Sequence, residues 1–133
     1  MKKHSIVVIE DHLFFRIALL RLLSENEKLD IAATFSSAEE ALEKLPTLDA
    51  ELALIDVSLP NMNGIEFVSQ LAAKHPNIHC VILSGHMNRS YVKRAMEAGA
   101  HGYILKDDVN GIREGVQKVI DGEIFISEAI RNY

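Results

Sequence analysis

The stretch LALIDVSLPNMNG, Leu52–Gly64, carries four apolar residues straight into one aspartate, Asp56, and then into a turn rich in Pro, Asn and Gly. A short aliphatic run of this kind reads as a buried strand. A buried strand that ends on a carboxylate raises two questions together: which sheet it belongs to, and what the carboxylate does there.

Similar runs recur on either side. SIVVI (5–9), DIAATF (30–35), ELALI (51–55), HCVIL (79–83) and GYIL (102–105) are β-branched or aliphatic. Helical spacing separates them. The first helical pattern places Leu13, Ile17 and Leu20 on one face. The second is short, near Ala38–Leu45, and opens with the capping box Ser37-x-x-Glu40. The third holds Ile65, Val68, Leu71 and Ala72. The fourth holds Val92, Ala95, Met96 and Gly99, and the fifth Ile112, Val116, Val119 and Ile120. Strand and helix alternate five times. That order implies right-handed βαβ units and an α/β fold: a doubly wound, five-stranded parallel sheet with helices on both faces. Burial on both faces explains why IVVI and CVIL are solidly apolar rather than alternating. The closing GEIFISEAIRNY falls outside the five units. It is expected to begin a further helix or a linker.

The totals fit this reading. The chain has 133 residues, 48% of them hydrophobic and 25% charged, which suits one soluble domain with one core. Its net charge of −5 argues against direct nucleic-acid binding, which a basic stripe would announce. The one cysteine, Cys80, lies in an apolar run and reads as a small buried side chain. The start MKKHSIVVIE has too short an apolar run for a signal peptide, and no stretch nears the ~18 apolar residues of a membrane span. The expected setting is cytoplasmic, away from membranes.

Ligands of open parallel sheets bind beyond the carboxyl ends of the strands. After the first run come Glu10 and Asp11, after the third Asp56, after the fourth Ser84 and Gly85, and after the fifth Lys106. The second ends on Phe35, Ser36 and Ser37, without charge. Carboxylates crowded on one rim repel unless a positive charge joins them. Lys106 supplies one such charge. A hard divalent cation is the natural second, and oxygen-only ligands suit Mg²⁺. The rest of the sequence narrows the chemistry. It has no GxxxxGK[ST] phosphate loop and no nucleophile-elbow triad. His75 and His79 have the i, i+4 spacing of a zinc pair, but Pro76 lies between them. A carboxylate, a metal, a hydroxyl and an ammonium fit phosphoryl transfer to an aspartate, with Asp56 as the nucleophile at the end of the central strand.

Four segments in this order, VVIED (7–11), LALIDVSLPNMNG (52–64), VILSGH (81–86) and AGAHGYILKDD (98–108), make the chain resemble the receiver domain of two-component response regulators, from about Lys3 to Gly122. The resemblance implies a flavodoxin-like strand order 2-1-3-4-5. It places a receiver domain at 1–122 and the start of a linker toward an absent output domain at 123–133. It implies that Asp56 accepts a phosphoryl group from a histidine kinase or from acetyl phosphate. Asp11 would bind Mg²⁺ directly, Glu10 through water or at the edge of the shell, and the backbone carbonyl of Ser58 would be a further ligand beside Asp56. Ser84 would hydrogen-bond the phosphoryl group and Lys106 would pair with it. Tyr103 matches the switch aromatic that turns inward when Ser84 moves.

Small residues fit the same picture. Gly85 keeps the approach to Asp56 open, and Gly64 is expected to give its turn a conformation that a β-carbon resists. The chain also departs from the commonest pattern. Glu10 stands where many relatives have Asp, Ser84 where Thr is commoner, and Asp107 where many have a cis proline. His12, LKDD and GEIFIS resemble a subgroup in which a helix-turn-helix DNA-binding domain follows the receiver. The expectation is therefore that these residues are the receiver portion of a longer transcriptional regulator.

Phosphorylation would then alter the face formed by the fourth helix, fifth strand and fifth helix, with Arg89, Tyr91, Arg94 and Arg113 as candidate surface residues. Pairing of two receivers and release of a covered DNA-binding domain are both open outcomes. The chain would be a signalling domain that assists its own modification rather than an enzyme. A degenerate receiver-like interaction module is the alternative, and the intact set Glu10, Asp11, Asp56, Ser84 and Lys106 argues against it. A phosphatase would need an acid/base carboxylate where Ser58 stands. A flavodoxin-like cofactor binder would need a phosphate loop after the first strand.

Overall fold

The computed structural model describes residues 3–132. Six parallel strands lie in the order β2-β1-β3-β4-β5-β6: β1 (His4–Ile9), β2 (Leu29–Phe35), β3 (Leu52–Asp56), β4 (His79–Ser84), β5 (Gly102–Leu105) and β6 (Phe125–Ile126). The helices between them are α1 (Leu13–Ser24), α2 (Ala38–Lys44), α3 (Gly64–Lys74), α4 (Arg89–Ala98) and α5 (Val109–Ile120), and a single turn, α6 (Glu128–Arg131), follows β6. The five expected strands are present within a residue of their expected limits, in the expected order.

The solid runs occupy the middle of the sheet. All of β3 and β5 and most of β1 and β4 are buried, whereas β2 alternates, as an outer strand must. Two apolar layers clothe the sheet. On one face α1 and α5 bring Leu19, Leu23, Ile112, Val116 and Val119 onto Ile6, Val8, Leu54 and Leu83. On the other, α2, α3 and α4 bring Ala41, Phe67, Val68, Leu71 and Ala95 onto Val7, Ile9, Ile55 and Ile82.

Three expectations need correction. First, the sheet has six strands rather than five. Residues 123–132, read as the start of a linker, fold back onto β5. The Phe125 amide donates to the His101 carbonyl and the Ser127 amide to the Tyr103 carbonyl, each at 3.0 Å. Phe125 and Ile130 bury their side chains in the two opposite layers. A two-residue strand carries no periodicity that a sequence pattern can show. Second, α1 turns a different face inward. Leu13 and Ile17 are 52% and 43% exposed, while Leu19 and Leu23 are buried. LFFRIALLRLLS is apolar nearly all round, so helical spacing fits more than one face. Third, Gly64 has no left-handed backbone, and Asn61 takes the positive φ of that loop, at 64°. Gly64 is needed for space instead. A β-carbon there would collide with the Asp56 carbonyl oxygen and lie 2.9 Å from Val57 Cα.

Helix ends explain smaller points. Ser37 caps α2 by accepting from the Glu40 amide at 3.1 Å, and Asn63 and Asn88 cap α3 and α4 in the same way. Gly99, placed on the apolar stripe by spacing, is the left-handed C-cap of α4, with φ 113°.

The contact at Gly64 ties the start of α3 to the end of β3. Gly64→Ala is expected to lower stability by about 2–3 kcal/mol through overpacking against rigid backbone, read from the midpoint of a denaturant melt. A loss below about 0.5 kcal/mol would show that the loop after Asp56 yields freely.

Candidate functional site

The carboxyl edge of the sheet gathers the expected charges. β1 ends immediately before Glu10, β3 ends on Asp56, β4 ends on Ser84, and Lys106 follows β5. The register explains their proximity: β3 lies between β1 and β4, and β5 lies beside β4, so the four strand ends are neighbours. The Lys106 amide donates to the Ser84 carbonyl at 2.8 Å, which holds the lysine's turn against the end of β4.

Lys106 Nζ lies 2.9 Å from Glu10 Oε1 and 3.3 Å from Asp56 Oδ1. Glu10 is fully buried and Asp56 nearly so, at 0% and 3% exposed, whereas Asp11 is exposed. One carboxylate oxygen from each of Glu10, Asp11 and Asp56 falls within 4.8 Å of the others. Burial pushes the Glu10 carboxyl above its ordinary value. Contacts with Lys106 and the His12 amide oppose that rise, and the neighbouring Asp56 charge adds to it. Two of the three carboxylates share one ammonium, Asp11 lies beside them, and all the donors are oxygens. That donor set fits a hard divalent cation such as Mg²⁺, which would settle the remaining negative charge.

The other expected residues take up distinct positions. The Ser58 amide donates to Asp56 Oδ1 at 2.9 Å. Ser58 therefore touches the aspartate through its N–H, whereas the role expected of it concerned its carbonyl. The Ser84 hydroxyl is turned into its own loop: it donates to the His86 carbonyl at 2.9 Å and accepts from the His86 amide at 3.1 Å. Tyr103 is fully buried in the layer shared with Ala95 and Ile82; among the described residues its hydroxyl makes no well-formed hydrogen bond, and the Ser84 side chain is the polar group that acts on it. Burial raises the pKa of that phenol. A β-carbon at Gly85 would meet nothing within 4 Å.

Two side chains that the sequence did not single out also frame the pocket. Arg16 Nη1 donates to the Glu10 carbonyl at 2.8 Å and pins the loop that carries Glu10 and Asp11. Phe15 lies under Lys106, with Nζ 4.7 Å from the ring centroid. Both sit on α1, where the mistaken inward face hid them.

Of the candidate surface residues, Arg94 lies over the Tyr91 ring at 5.6 Å on α4. Arg113 is turned toward α1 instead and pairs with Glu25 at 2.9 Å. His79 does not pair with His75. Its ring stands against His101, with centroids 4.6 Å apart, and His101 Nδ1 accepts from the Cys80 amide at 3.1 Å. Cys80 is buried as expected, and burial pushes its thiol up to about 12.

Comparison with known proteins points one way. The profile of the response regulator receiver domain family matches residues 6–123. The transcriptional regulatory protein DegU of Brevibacillus brevis is 32% identical over 93% of this chain and 53% of its own length. The nitrate/nitrite response regulator NarL of Escherichia coli K12 is 30% identical over 95% of this chain and 59% of its own length. The chain thus spans between half and two thirds of these relatives. Among solved structures, a LuxR-family two-component response regulator from Aurantimonas sp. SI85-9A1 superposes with a TM-score of 0.94 at 23% identity, over 98% of this chain and 94% of that one, which shows the shared fold. The receiver domain of a Mycobacterium tuberculosis NarL superposes with a TM-score of 0.87 at 26% identity, over 92% of this chain and all of that one.

Removing the ammonium exposes the charge problem directly. Lys106→Gln is expected to lower stability by about 3 kcal/mol at pH 7.5, the scale of a buried pair broken on one side. The Glu10 carboxyl, already raised by burial, then rises further. A raised carboxyl favours the fold fully below its unfolded value, near 4.5, and that gain is lost as pH climbs through the folded value. The deficit should therefore shrink between pH 7.5 and pH 5 in denaturant melts. A deficit constant across that range would place Glu10 outside the lysine's influence.

Proposed function

The chain belongs to the response regulator receiver domain family, and from that premise we propose that it takes a phosphoryl group from a histidine kinase on Asp56. The observation that carries this reading is the ammonium of Lys106 held between Glu10 and Asp56, with Asp11 beside them. A carboxylate oxygen of Asp56 attacks the phosphorus, the P–O bond to Asp56 forms, and the P–N bond of a donor phosphohistidine breaks. Backbone on both sides fixes the nucleophile: Ser58 holds its carboxylate and Gly64 packs on its carbonyl. Lys106 faces the arriving charge, and the Ser84 hydroxyl, one strand away, turns from His86 toward the phosphoryl oxygens. Glu10, Asp11, Asp56 and the Ser58 carbonyl would hold Mg²⁺, which would supply positive charge to offset that of the phosphoryl oxygens.

The added group brings a charge of about −1.5 to −2. It draws Ser84 and Lys106 and biases a two-state equilibrium in which Tyr103 fills the space that Ser84 leaves, altering the face of α4, β5 and α5. The receiver includes β6 and α6, which pack on β5, and it serves an output domain that binds DNA and controls transcription. The changed face serves either to pair two receivers as a homodimer or to release a covered DNA-binding domain. DegU is named a transcriptional regulatory protein and NarL a nitrate/nitrite response regulator. The domain signals rather than turning over substrate. Among the described residues no helix is long and apolar enough to cross a membrane, and the proposed setting is the cytoplasm.

Intact mass after incubation with acetyl phosphate and Mg²⁺ tests the reading. One added phosphoryl group is expected on the native chain and none on Asp56→Ala. Lys106→Ala should slow the addition by about a hundredfold, the scale of a lost preorganised charge. Modification that persists in Asp56→Ala would remove that residue from its role, and a native chain that never gains mass would favour a degenerate interaction module.

A further inference from the structure

The C-terminal segment reaches the pocket through one buried hydroxyl. Ser127 is fully buried, a rare place for a serine in an apolar layer. Its Oγ accepts from the Leu105 amide at 3.0 Å and donates to Asp108 Oδ2 at 2.7 Å. Its own amide donates to the Tyr103 carbonyl at 3.0 Å. These three partners bracket Lys106 on both sides. Asp108 is held from its other oxygen as well, since Oδ1 caps α5 by accepting from the Gly111 amide at 2.9 Å. Around Ser127 the segment grips β5 on both faces, with Ile130 in the layer of Tyr103 and Leu105 and Phe125 in the layer of Ile104.

Resting on the receiver reading above, we propose that Ser127 is a positioning residue for Lys106, and that through it the segment 125–131 and the phosphoacceptor pocket share one set of hydrogen bonds. A hydroxyl that serves both flanks of a four-residue turn fixes where the lysine's backbone sits. The fixed backbone sets where the flexible lysine stem starts, and the ion pairs with Glu10 and Asp56, at 2.9 and 3.3 Å, hold its end. The coupling runs both ways, because any equilibrium effect of the pocket on the segment is matched by an equal effect of the segment on the pocket. When a phosphoryl group draws Lys106 away from Glu10, the 105–108 turn moves, and the Leu105 amide and Asp108 carboxylate bonded to Ser127 move with it. The segment 125–131 is then held differently in the two states. A purely structural Ser127 would anchor the segment equally in both.

Hydrogen exchange of the full chain, with and without acetyl phosphate and Mg²⁺, separates these cases, with intact mass of the same samples reporting the phosphoryl group. In the native chain, modification is expected to change exchange at Leu105 and Ser127 by about fivefold or more, the scale of one perturbed buried hydrogen bond. In Ser127→Ala, phosphorylation should slow about tenfold as the lysine loses its fixed place. Modification should then leave exchange at 125–131 unchanged while still altering residues 84–90. Ser127→Thr, which keeps the hydroxyl, should restore both responses. Unchanged exchange at 125–131 in native chain that mass shows to be phosphorylated would overturn the proposal, as would native phosphorylation rates in Ser127→Ala. A native chain that gains no mass fails the receiver reading itself, and the inference falls with it.

Discussion

One ammonium stands between two carboxylates that the fold has taken out of water, and a third carboxylate lies beside them. Charges so placed repel in proportion to how little solvent screens them. The fold tolerates them because Lys106 offsets part of the repulsion and because rigid strand ends leave the acids nowhere to go. The β1–α1 loop is pinned by Arg16 on the Glu10 carbonyl, and Asp56 is pinned by the Ser58 amide and the packing of Gly64. A pocket built this way is electrostatically unfinished, and that gives it an appetite for a small hard cation and for a phosphoryl group.

The sheet supplies the rigidity. Four interior strands end at one edge, and the helices on both faces bury their apolar shafts. Polar chemistry is therefore confined to the rim. Tyr103 extends this logic inward. Its buried hydroxyl lies in the layer beneath α4, while the Ser84 hydroxyl is engaged with His86. On the proposed reading these two side chains carry the signal from rim to surface, and the Ser127 hydroxyl carries it to the C-terminal segment.

Much of this was legible in the sequence, and the reasons are physical. Parallel strands buried on both faces must be solidly apolar, so their runs and limits stand out. Ligand sites of such sheets lie past the strand ends, so reading one or two residues beyond each run finds Glu10, Asp11, Asp56, Ser84 and Lys106. What was not legible depends on contacts between distant parts of the chain. The face of α1 is ambiguous because the helix is apolar nearly all round, and with it went Phe15 and Arg16. β6 is too short to show a pattern. Gly64 looks like a turn glycine in sequence, yet it answers to a backbone oxygen eight residues away that only the folded loop brings near. The direction of the Ser84 hydroxyl and the partners of Ser127 are likewise choices among hydrogen bonds, on which composition is silent.

The central claim is that Lys106 and a divalent cation answer to the same carboxylates. Calorimetric titration of Mg²⁺ into the native chain and into Lys106→Met tests it most directly. One ion should bind the native chain, and the variant, freed of the competing ammonium, should bind it more tightly. Equal affinity in the two chains, or no binding in either, would contradict the account.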